Sequence, residues 1–147
     1  MSNELMVEKL SEIFQIFTEF NEKGFKENYS NLNINEVHAI DYIGKTENAN
    51  VTKITNHLKI TKGGVTKITK KLINKEYISS YQIEENKKEK YFNLTEKGKE
   101  IFKKHENLHI EAINRDKKIF EKFDKNEKEV IDKFLDTLKK DFKKKLK

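Results

Sequence analysis

Two histidines, His105 and His109, lie four residues apart in a segment that predicts a helix. This spacing places both imidazoles on one helix face, within reach of a shared metal ion. An apolar stripe runs beside them, and it would partly desolvate both rings and hold them in place. The alternative is that each histidine lies at the edge of the core and makes a backbone hydrogen bond. The spacing alone leaves a metal site and a structural role open.

A cluster of lysines without any acidic residue occupies residues 51–75. Its seven lysines place a charge of +7 there, in a chain whose net charge is +6. Such clustered charge is typical of a surface that binds a polyanion. The alternative is a solvated lysine-rich face, since charged residues make up 38% of the chain.

Two short amphipathic helices carry this lysine cluster. We predict helices over residues 51–58 and 62–75, with N-caps at Asn50 and Thr61. The inward stripe of the second helix consists of Val65, Ile68 and Leu72. Its opposite side is polar and basic, as a helix in a major groove requires. The pair therefore predicts a helix-turn-helix that binds double-stranded DNA.

A predicted β-hairpin follows, with strands near residues 78–83 and 90–94. Its charged tip holds Lys87 and Lys88, and a basic tip can enter a minor groove and neutralise phosphate. Gly63 either allows the backbone to approach a phosphate closely or is tolerated in an already stable helix. The predicted DNA-contacting residues are Thr61, Lys62, Gly63, Thr66, Lys67, Lys70, Lys87 and Lys88.

Four further helices are predicted around this unit. They cover residues 5–20, 35–45 and 96–123, and a last helix runs from a capping box at Asp124 to near the end. The polar stretch 23–32 is predicted as a loop or a frayed helix end. Together the elements predict a mainly α, α+β winged-helix fold with six helices and a two-stranded wing hairpin.

The composition excludes several classes of protein. The chain has no Cys, which excludes disulfides, thiol redox sensing and thiolate metal sites. No apolar run is long enough to span a membrane, and the N-terminus lacks the pattern of a signal peptide, so we expect a cytoplasmic protein without a membrane partner. No Gly-rich phosphate loop or nucleophile motif is present, so we do not expect an enzyme.

The run NVTKITNHLKITKGGVTKITKKLINKEYI, the hairpin, and then NLTEKGKEIF resemble the MarR family. The resemblance implies a homodimer in which helices 1, 5 and 6 form the interface and two winged lobes bind half-sites of a pseudo-palindromic operator. It divides the chain into dimerisation regions at 1–34 and 96–147 and a DNA-binding lobe at 35–95. One departure lies in the wing, where the family's Asp-x-Arg pattern is replaced by Asn86-Lys87-Lys88. Lysine cannot form the bidentate contacts of arginine, which puts selectivity in the minor groove in doubt.

A narrower resemblance concerns the histidines. The segment around His38, the pair His105 and His109, and the C-terminal helix are similar to zinc-sensing MarR repressors of the adhesin-competence type. In that group a Glu after helix 1, a His on helix 2 and two His on helix 5 bind one zinc ion. Glu22 is the best match for the carboxylate, with Glu19 as the second choice. The group's second metal site does not carry over, because its Cys is absent.

Three answers to the question of an effector remain open, namely zinc, an organic ligand and no ligand. If zinc binds, it is expected to act as a corepressor that favours the lobe spacing which fits DNA. The alternatives are release by a small organic ligand held between helices 1, 2 and 5, or no ligand at all. A different class of function is a winged-helix module that binds protein or anionic surfaces without sequence-specific DNA recognition.

Overall fold

The computed structural model describes residues 1–147, which form six helices and one two-stranded antiparallel sheet. The helices are α1 (Asn3–Asn28), α2 (Ile34–Lys45), α3 (Val51–Leu58), α4 (Lys62–Asn74), α5 (Glu96–Phe120) and α6 (Lys125–Lys145). The strands are β1 (Ile78–Ile83) and β2 (Asn86–Leu94). This content confirms the predicted winged-helix class. None of the helices combines the length and the apolar character that crossing a bilayer requires.

Side-chain caps define where the helices begin, and the predicted caps are confirmed. Asn50 Oδ1 accepts a hydrogen bond from the Lys53 amide at 2.8 Å, and Thr61 Oγ1 accepts one from the Gly64 amide at 3.0 Å. Asp124 and Glu127 form a reciprocal capping box at the start of α6. Each cap satisfies an amide that the helix leaves free, which is worth about 1 kcal/mol.

The chain divides into two compact units, Met1–His105 and Glu106–Lys147. The core of the first unit lies among α2, α3, α4 and the hairpin. The predicted inward stripe of α4 is confirmed, because Val65, Ile68 and Leu72 are all buried. An isolated bridge joins the segment before α3 to the hairpin, since the Phe92 amide donates to the Ala49 carbonyl at 2.9 Å.

Two predicted boundaries were wrong. Helix α1 continues to Asn28, beyond its predicted end at residue 20, so the stretch predicted as a loop or a frayed helix end is largely helical. The rings of Phe25 and Tyr29, one turn apart, meet at a tilt with centroids 4.9 Å apart, and this contact packs the polar end of the helix. Strand β2 begins at Asn86 rather than near residue 90, because Ile83 pairs with Asn86 around a two-residue turn.

The connection from α4 to α5 is closely packed. A side chain on Gly98 would collide with the Tyr77 carbonyl, so the first turn of α5 can rest directly on the chain that leaves α4. Thr95 Oγ1 accepts a hydrogen bond from the Gly98 amide at 3.1 Å and donates one to the Glu76 carbonyl at 2.6 Å. These contacts join the helix-turn-helix to the start of α5.

Two helices bury none of their residues. In the first unit, α1 exposes Leu5, Met6, Val7, Ile13, Phe14, Ile16, Phe17 and Phe20. In the second unit, α6 exposes Val130, Phe134, Leu135 and Phe142. The part of α5 within the second unit adds Ile110, Ile113, Ile119 and Phe120. Both units therefore carry far more exposed apolar surface than scattered single residues would produce.

Candidate nucleic-acid interface and metal-binding residues

The outer face of α4 is basic and exposed. Lys62, Lys67 and Lys70 all lie in solvent, and none of them forms an ion pair. Gly63 is exposed as well, whereas Thr66 is half-buried and its hydroxyl donates to the Lys62 carbonyl at 3.0 Å. Opposite this face lies the buried stripe of α4, so the helix presents its charge outward. Such a face can bind the phosphates and base edges of a duplex.

One lysine of the cluster has a different position. Lys75 Nζ donates to Glu36 Oε2 at 3.1 Å and to the Asn31 carbonyl at 2.7 Å. Glu36 is only 3% exposed, and its other oxygen accepts a hydrogen bond from the Asn33 amide. Lys75 therefore ties the end of α4 to the start of α2. The sequence offered one signal for this role, an acidic residue within the apolar stripe of a predicted helix.

The wing holds its two lysines on strand β2 rather than at the tip. The turn itself consists of Glu84 and Glu85, so the prediction of a basic tip is corrected. Lys87 Nζ lies 3.6 Å from Glu84 Oε2, which partly neutralises it. Lys88 has no ion pair and remains exposed. The shorter turn follows from the pairing of β2 from Asn86 onward.

Two of the predicted metal ligands lie close together. The rings of His38 on α2 and His105 on α5 meet edge to face with centroids 6.0 Å apart. Glu22 and the second choice Glu19 are exposed on α1, where they border a depression lined only by residues of α1. His109 belongs to the second unit. No three His, Cys, Asp or Glu residues in the chain are arranged so that they could hold a metal ion.

Asp41 is a neighbour of these histidines that sequence analysis missed. Its Oδ1 atom lies 3.3 Å from His105 Nδ1, is buried, and has no hydrogen-bond partner. Its other oxygen accepts from Lys45 Nζ at 2.9 Å. A possible signal was its spacing, since residues three apart on a helix, such as His38 and Asp41, share a face.

The electrostatics of this cluster favour a neutral imidazole at His38. Partial desolvation and then the neighbouring His105 lower the pKa of His38, and the charge of Asp41 only partly opposes this shift. Burial, followed by the charge of Asp41, raises the pKa of Tyr29. The remaining histidine, His57, is exposed and stacks on Tyr42 at 4.4 Å.

Comparison with known proteins agrees with this geometry. Residues 32–90, which include α2, the helix-turn-helix and most of the hairpin, match the MarR family. This chain carries a MarR family domain in residues 32–90. The HTH-type transcriptional regulator PchR of Bacillus subtilis is 42% identical over 106 residues, which cover 72% of this chain and 63% of PchR. The chain spans less than two thirds of the length of the curated relatives that it matches.

Two solved structures extend the similarity to nearly the whole chain. Streptococcus pneumoniae FabT, crystallised with DNA, matches with a TM-score of 0.77 and 27% identity over 99% of this chain and all of FabT. Lactococcus lactis ZitR, described as a zinc-responsive MarR family member, matches with a TM-score of 0.76 and 25% identity, over 93% of this chain and 99% of ZitR. The MarR fold thus includes α1, α5 and α6 as well as the winged helix.

Proposed function

We propose that this MarR family chain is a transcriptional regulator, most simply a repressor, that binds double-stranded DNA. The observation that carries the proposal is the outer face of α4, where Lys62, Lys67 and Lys70 are exposed and unpaired opposite a buried stripe. In this proposal α4 enters the major groove. Thr61, Gly63 and Thr66, in and just before its first turns, contact the DNA together with the three lysines. Lys87 and Lys88 of the wing contact the adjacent phosphates.

We further propose that the regulator acts as a homodimer. The exposed apolar residues of α1 and α6 support this, because a second copy would remove both faces from water. We assign residues 1–34 and 96–147 to dimerisation and residues 35–95 to the DNA-binding lobe. A two-fold dimer would then present two α4 helices to half-sites about 34 Å apart on a pseudo-palindromic operator.

DNA binding can be tested with purified protein and labelled fragments of its own genome against scrambled duplex. We expect a specific-over-random affinity ratio of roughly a thousandfold or more. Lys67→Ala or Lys70→Ala should cost about 1–3 kcal/mol of binding free energy and relax selectivity at one base pair if that lysine contacts a base edge. Lys122→Ala removes an exposed lysine outside the proposed DNA interface. It is the matched control and should leave DNA binding unchanged.

Other outcomes of this experiment identify the competing functions. Equal loss of affinity on all sequences would assign a lysine to a phosphate instead of a base edge. Absence of any sequence preference in a folded dimer would contradict the regulator and support a module for protein or anionic surfaces. Salt alone does not separate them, since both lose about 0.9 log units of affinity per phosphate contacted for each log unit of salt.

We also propose that zinc is the effector, with His38 and His105 as ligands and Glu22 and His109 completing the set that the resemblance implies. The proximity of the two rings and the lowered pKa of His38 support this, because zinc binds neutral imidazole. Nitrogen and carboxylate donors suit zinc. ZitR, which is similar along most of the chain, is described as zinc-responsive. Bound zinc would link α2 to α5 and favour the lobe spacing that fits DNA.

The zinc proposal is tested by operator binding with zinc added and with zinc chelated, beside a metal count per dimer. We expect zinc to strengthen DNA binding, with a coupling of about 1–3 kcal/mol. The double variant His105→Ala, His109→Ala should lose this response, whereas His57→Ala should keep it. Unchanged operator binding after chelation would contradict zinc and would favour an organic ligand or no effector.

A further inference from the structure

The C-terminal end of α4 is held by polar contacts with two other helices. Lys75, the residue at which α4 ends, donates to Glu36 Oε2 on α2 and to the Asn31 carbonyl just before that helix. The Lys75 carbonyl accepts a hydrogen bond at 2.8 Å from Lys97 Nζ, in the first turn of α5. The same ammonium group of Lys97 lies 4.4 Å from the centroid of the Tyr77 ring. This end of α4 is therefore fixed to both α2 and α5.

The N-terminal end of α4 carries the proposed DNA contacts and is held differently. Lys62 and Gly63 are exposed, and the hydrogen bonds of this end stay within the helix and its cap, Thr61. The buried stripe supports the middle of the helix, but apolar burial has no preferred direction. A hydrogen-bonded ion pair depends on both distance and angle. The contacts of Lys75 are therefore suited to fix the angle of α4.

The length of α4 converts a small change of angle at Lys75 into a larger displacement where DNA would bind. The helix has 13 residues, from Lys62 to Asn74. At about 1.5 Å per residue, Lys62 lies about 20 Å from Lys75, and a tilt of about 3° would move it by about 1 Å. Hydrogen bonds to base edges do not survive a shift of this size. Phosphate contacts, which carry no sequence information, tolerate it better.

The burial of Glu36 gives a second reason to assign a positioning role. Its side chain is 3% exposed, whereas that of Lys75 is 36% exposed, so the carboxylate is removed from water. Desolvation offsets much of the attraction in such a pair, and apolar residues of similar size often stabilise a fold equally well. The ion pair therefore contributes a defined geometry more than it contributes stability.

We propose that Lys75 and Glu36 are positioning residues that set the angle of α4 for sequence-specific DNA binding, and that Lys75 itself does not contact DNA. This inference rests on the DNA binding proposed above. The ammonium group of Lys75 already has two acceptors within the fold, which distinguishes it from the exposed, unpaired lysines of α4.

The test measures the affinity of the full chain for two duplexes over a range of salt concentrations. One is the fragment of its own genome that the wild type binds most tightly, and the other is a scrambled duplex of the same composition. Glu36→Gln keeps an oxygen for the Asn33 amide but removes the charge that Lys75 contacts. Glu76→Gln removes the same charge from the exposed residue next to Lys75 and is the matched control.

Glu36→Gln should lower the affinity for the genomic fragment about tenfold, which is the worth of about one base-pair contact, and should not weaken binding to the scrambled duplex. Simple removal of a negative charge would instead strengthen binding to both duplexes. Glu76→Gln should leave the specific-over-random ratio unchanged. Anisotropy titrations measure all four affinities, and melting curves check that each variant is folded.

Lys75→Met should also lower the specific-over-random ratio about tenfold. It should not lower the salt dependence by the roughly 0.9 log units per log unit of salt that one phosphate contact provides. Lys75→Met leaves the buried Glu36 unpaired, so its melting temperature should fall. The double variant Glu36→Gln, Lys75→Met has no unpaired buried charge, so it should regain thermal stability but not selectivity.

Four results would overturn the inference. The first is a wild-type ratio in folded Glu36→Gln or Lys75→Met. The second is an equal loss on both duplexes with reduced salt dependence in Lys75→Met, which would make Lys75 a phosphate contact. The third is recovery of selectivity together with stability in the double variant, which would leave the pair a structural role only. The fourth is an equal loss of selectivity in Glu76→Gln.

The wild-type measurement separates this inference from the proposed function. If the wild-type chain prefers no fragment over the scrambled duplex, sequence-specific DNA binding fails and the positioning role fails with it. If the wild type shows the preference and the variants keep it, the positioning role alone is overturned.

Discussion

Gly63 is a glycine that the fold does not explain. A Cβ atom at this position would meet nothing within 4 Å, and the backbone is an ordinary helical one. At Gly64, by contrast, a Cβ atom would lie 3.0 Å from the capping hydroxyl of Thr61. Glycine within a helix costs about 0.5–1 kcal/mol relative to alanine. Close approach of the α4 backbone to a phosphate, in keeping with the DNA binding proposed above, would account for a glycine at this position.

Gly63→Ala should raise the free energy of unfolding by about 0.5–1 kcal/mol and weaken DNA binding. Denaturant titration measures the first effect, and fluorescence anisotropy with operator DNA measures the second. Gly24→Ala in α1 is the control, because a Cβ atom there would also meet nothing within 4 Å and the position lies outside the proposed DNA interface. It should stabilise the protein without affecting DNA binding. If Gly63→Ala binds operator DNA with unchanged affinity, this glycine has no role in DNA binding and is only tolerated in the helix.

His38 should titrate below the usual histidine pKa in metal-free protein. Desolvation and His105 disfavour its protonated form, so the imidazole stays neutral until the pH falls further than usual. Asp41→Asn should lower the pKa of His38 again by removing a favourable negative charge, whereas His105→Asn should raise it. NMR titration of the imidazole signals measures each shift, and a rise in Asp41→Asn would contradict the arrangement of charges.

At the scale of elements, the wing has two lysines in different electrical environments. Lys87 and Lys88 are adjacent on β2, but only Lys87 lies near an acidic partner, Glu84. The pair is exposed, so its attraction is weak and screened by salt. The uncompensated Lys88 is thus the better candidate for a phosphate contact.

Lys88→Ala should therefore weaken DNA binding more than Lys87→Ala does. The loss should be equal on all sequences, and it should reduce the salt dependence by about 0.9 log units per log unit of salt for one lost phosphate contact. Anisotropy titrations at several salt concentrations provide both quantities. The cost of Lys87→Ala should rise when Glu84 is replaced by Ala, because Lys87 then has no acidic partner. If Lys87→Ala costs as little DNA affinity in the Glu84→Ala background as in wild type, neutralisation by Glu84 does not explain the difference between Lys87 and Lys88.

At the scale of the whole molecule, the exposed apolar residues predict assembly. Phe17 is 56% exposed on α1 and Val130 is 69% exposed on α6, although both are strongly hydrophobic. A folded monomer seldom leaves so many large apolar side chains in contact with water. Burial in a two-fold interface would give these helices the packing that the single chain lacks.

Phe17→Glu should shift the protein toward monomer and weaken binding to a two-half-site operator. The introduced carboxylate would have to be buried without a partner, which an apolar interface does not tolerate. Sedimentation velocity over a range of concentrations measures the assembly. Asn21→Asp introduces the same charge at an exposed polar position one turn later and should remain dimeric. A Phe17→Glu variant that stays fully dimeric would place the interface elsewhere.

The sequence by itself determined the features that depend on near neighbours along the chain. The caps at Asn50, Thr61 and Asp124 bond to amides three residues later, and the stripe of α4 follows from helical periodicity. These local rules were enough for the winged-helix class, whereas the family was indicated by the resemblance of the sequence runs around the helix-turn-helix. The residues that bind DNA, metal and the second copy remain proposals.

Only the tertiary structure decided which distant residues meet. Asp41 and His105 are 64 positions apart, and no local pattern could place their side chains 3.3 Å from each other. Lys75 likewise lies 39 positions from Glu36, and only the fold brings its ammonium group within 3.1 Å of that buried carboxylate. The end of α1 and the start of β2 were also set by packing and strand pairing. Such contacts arise from the way helices and strands pack in three dimensions, which periodicity along one element does not encode.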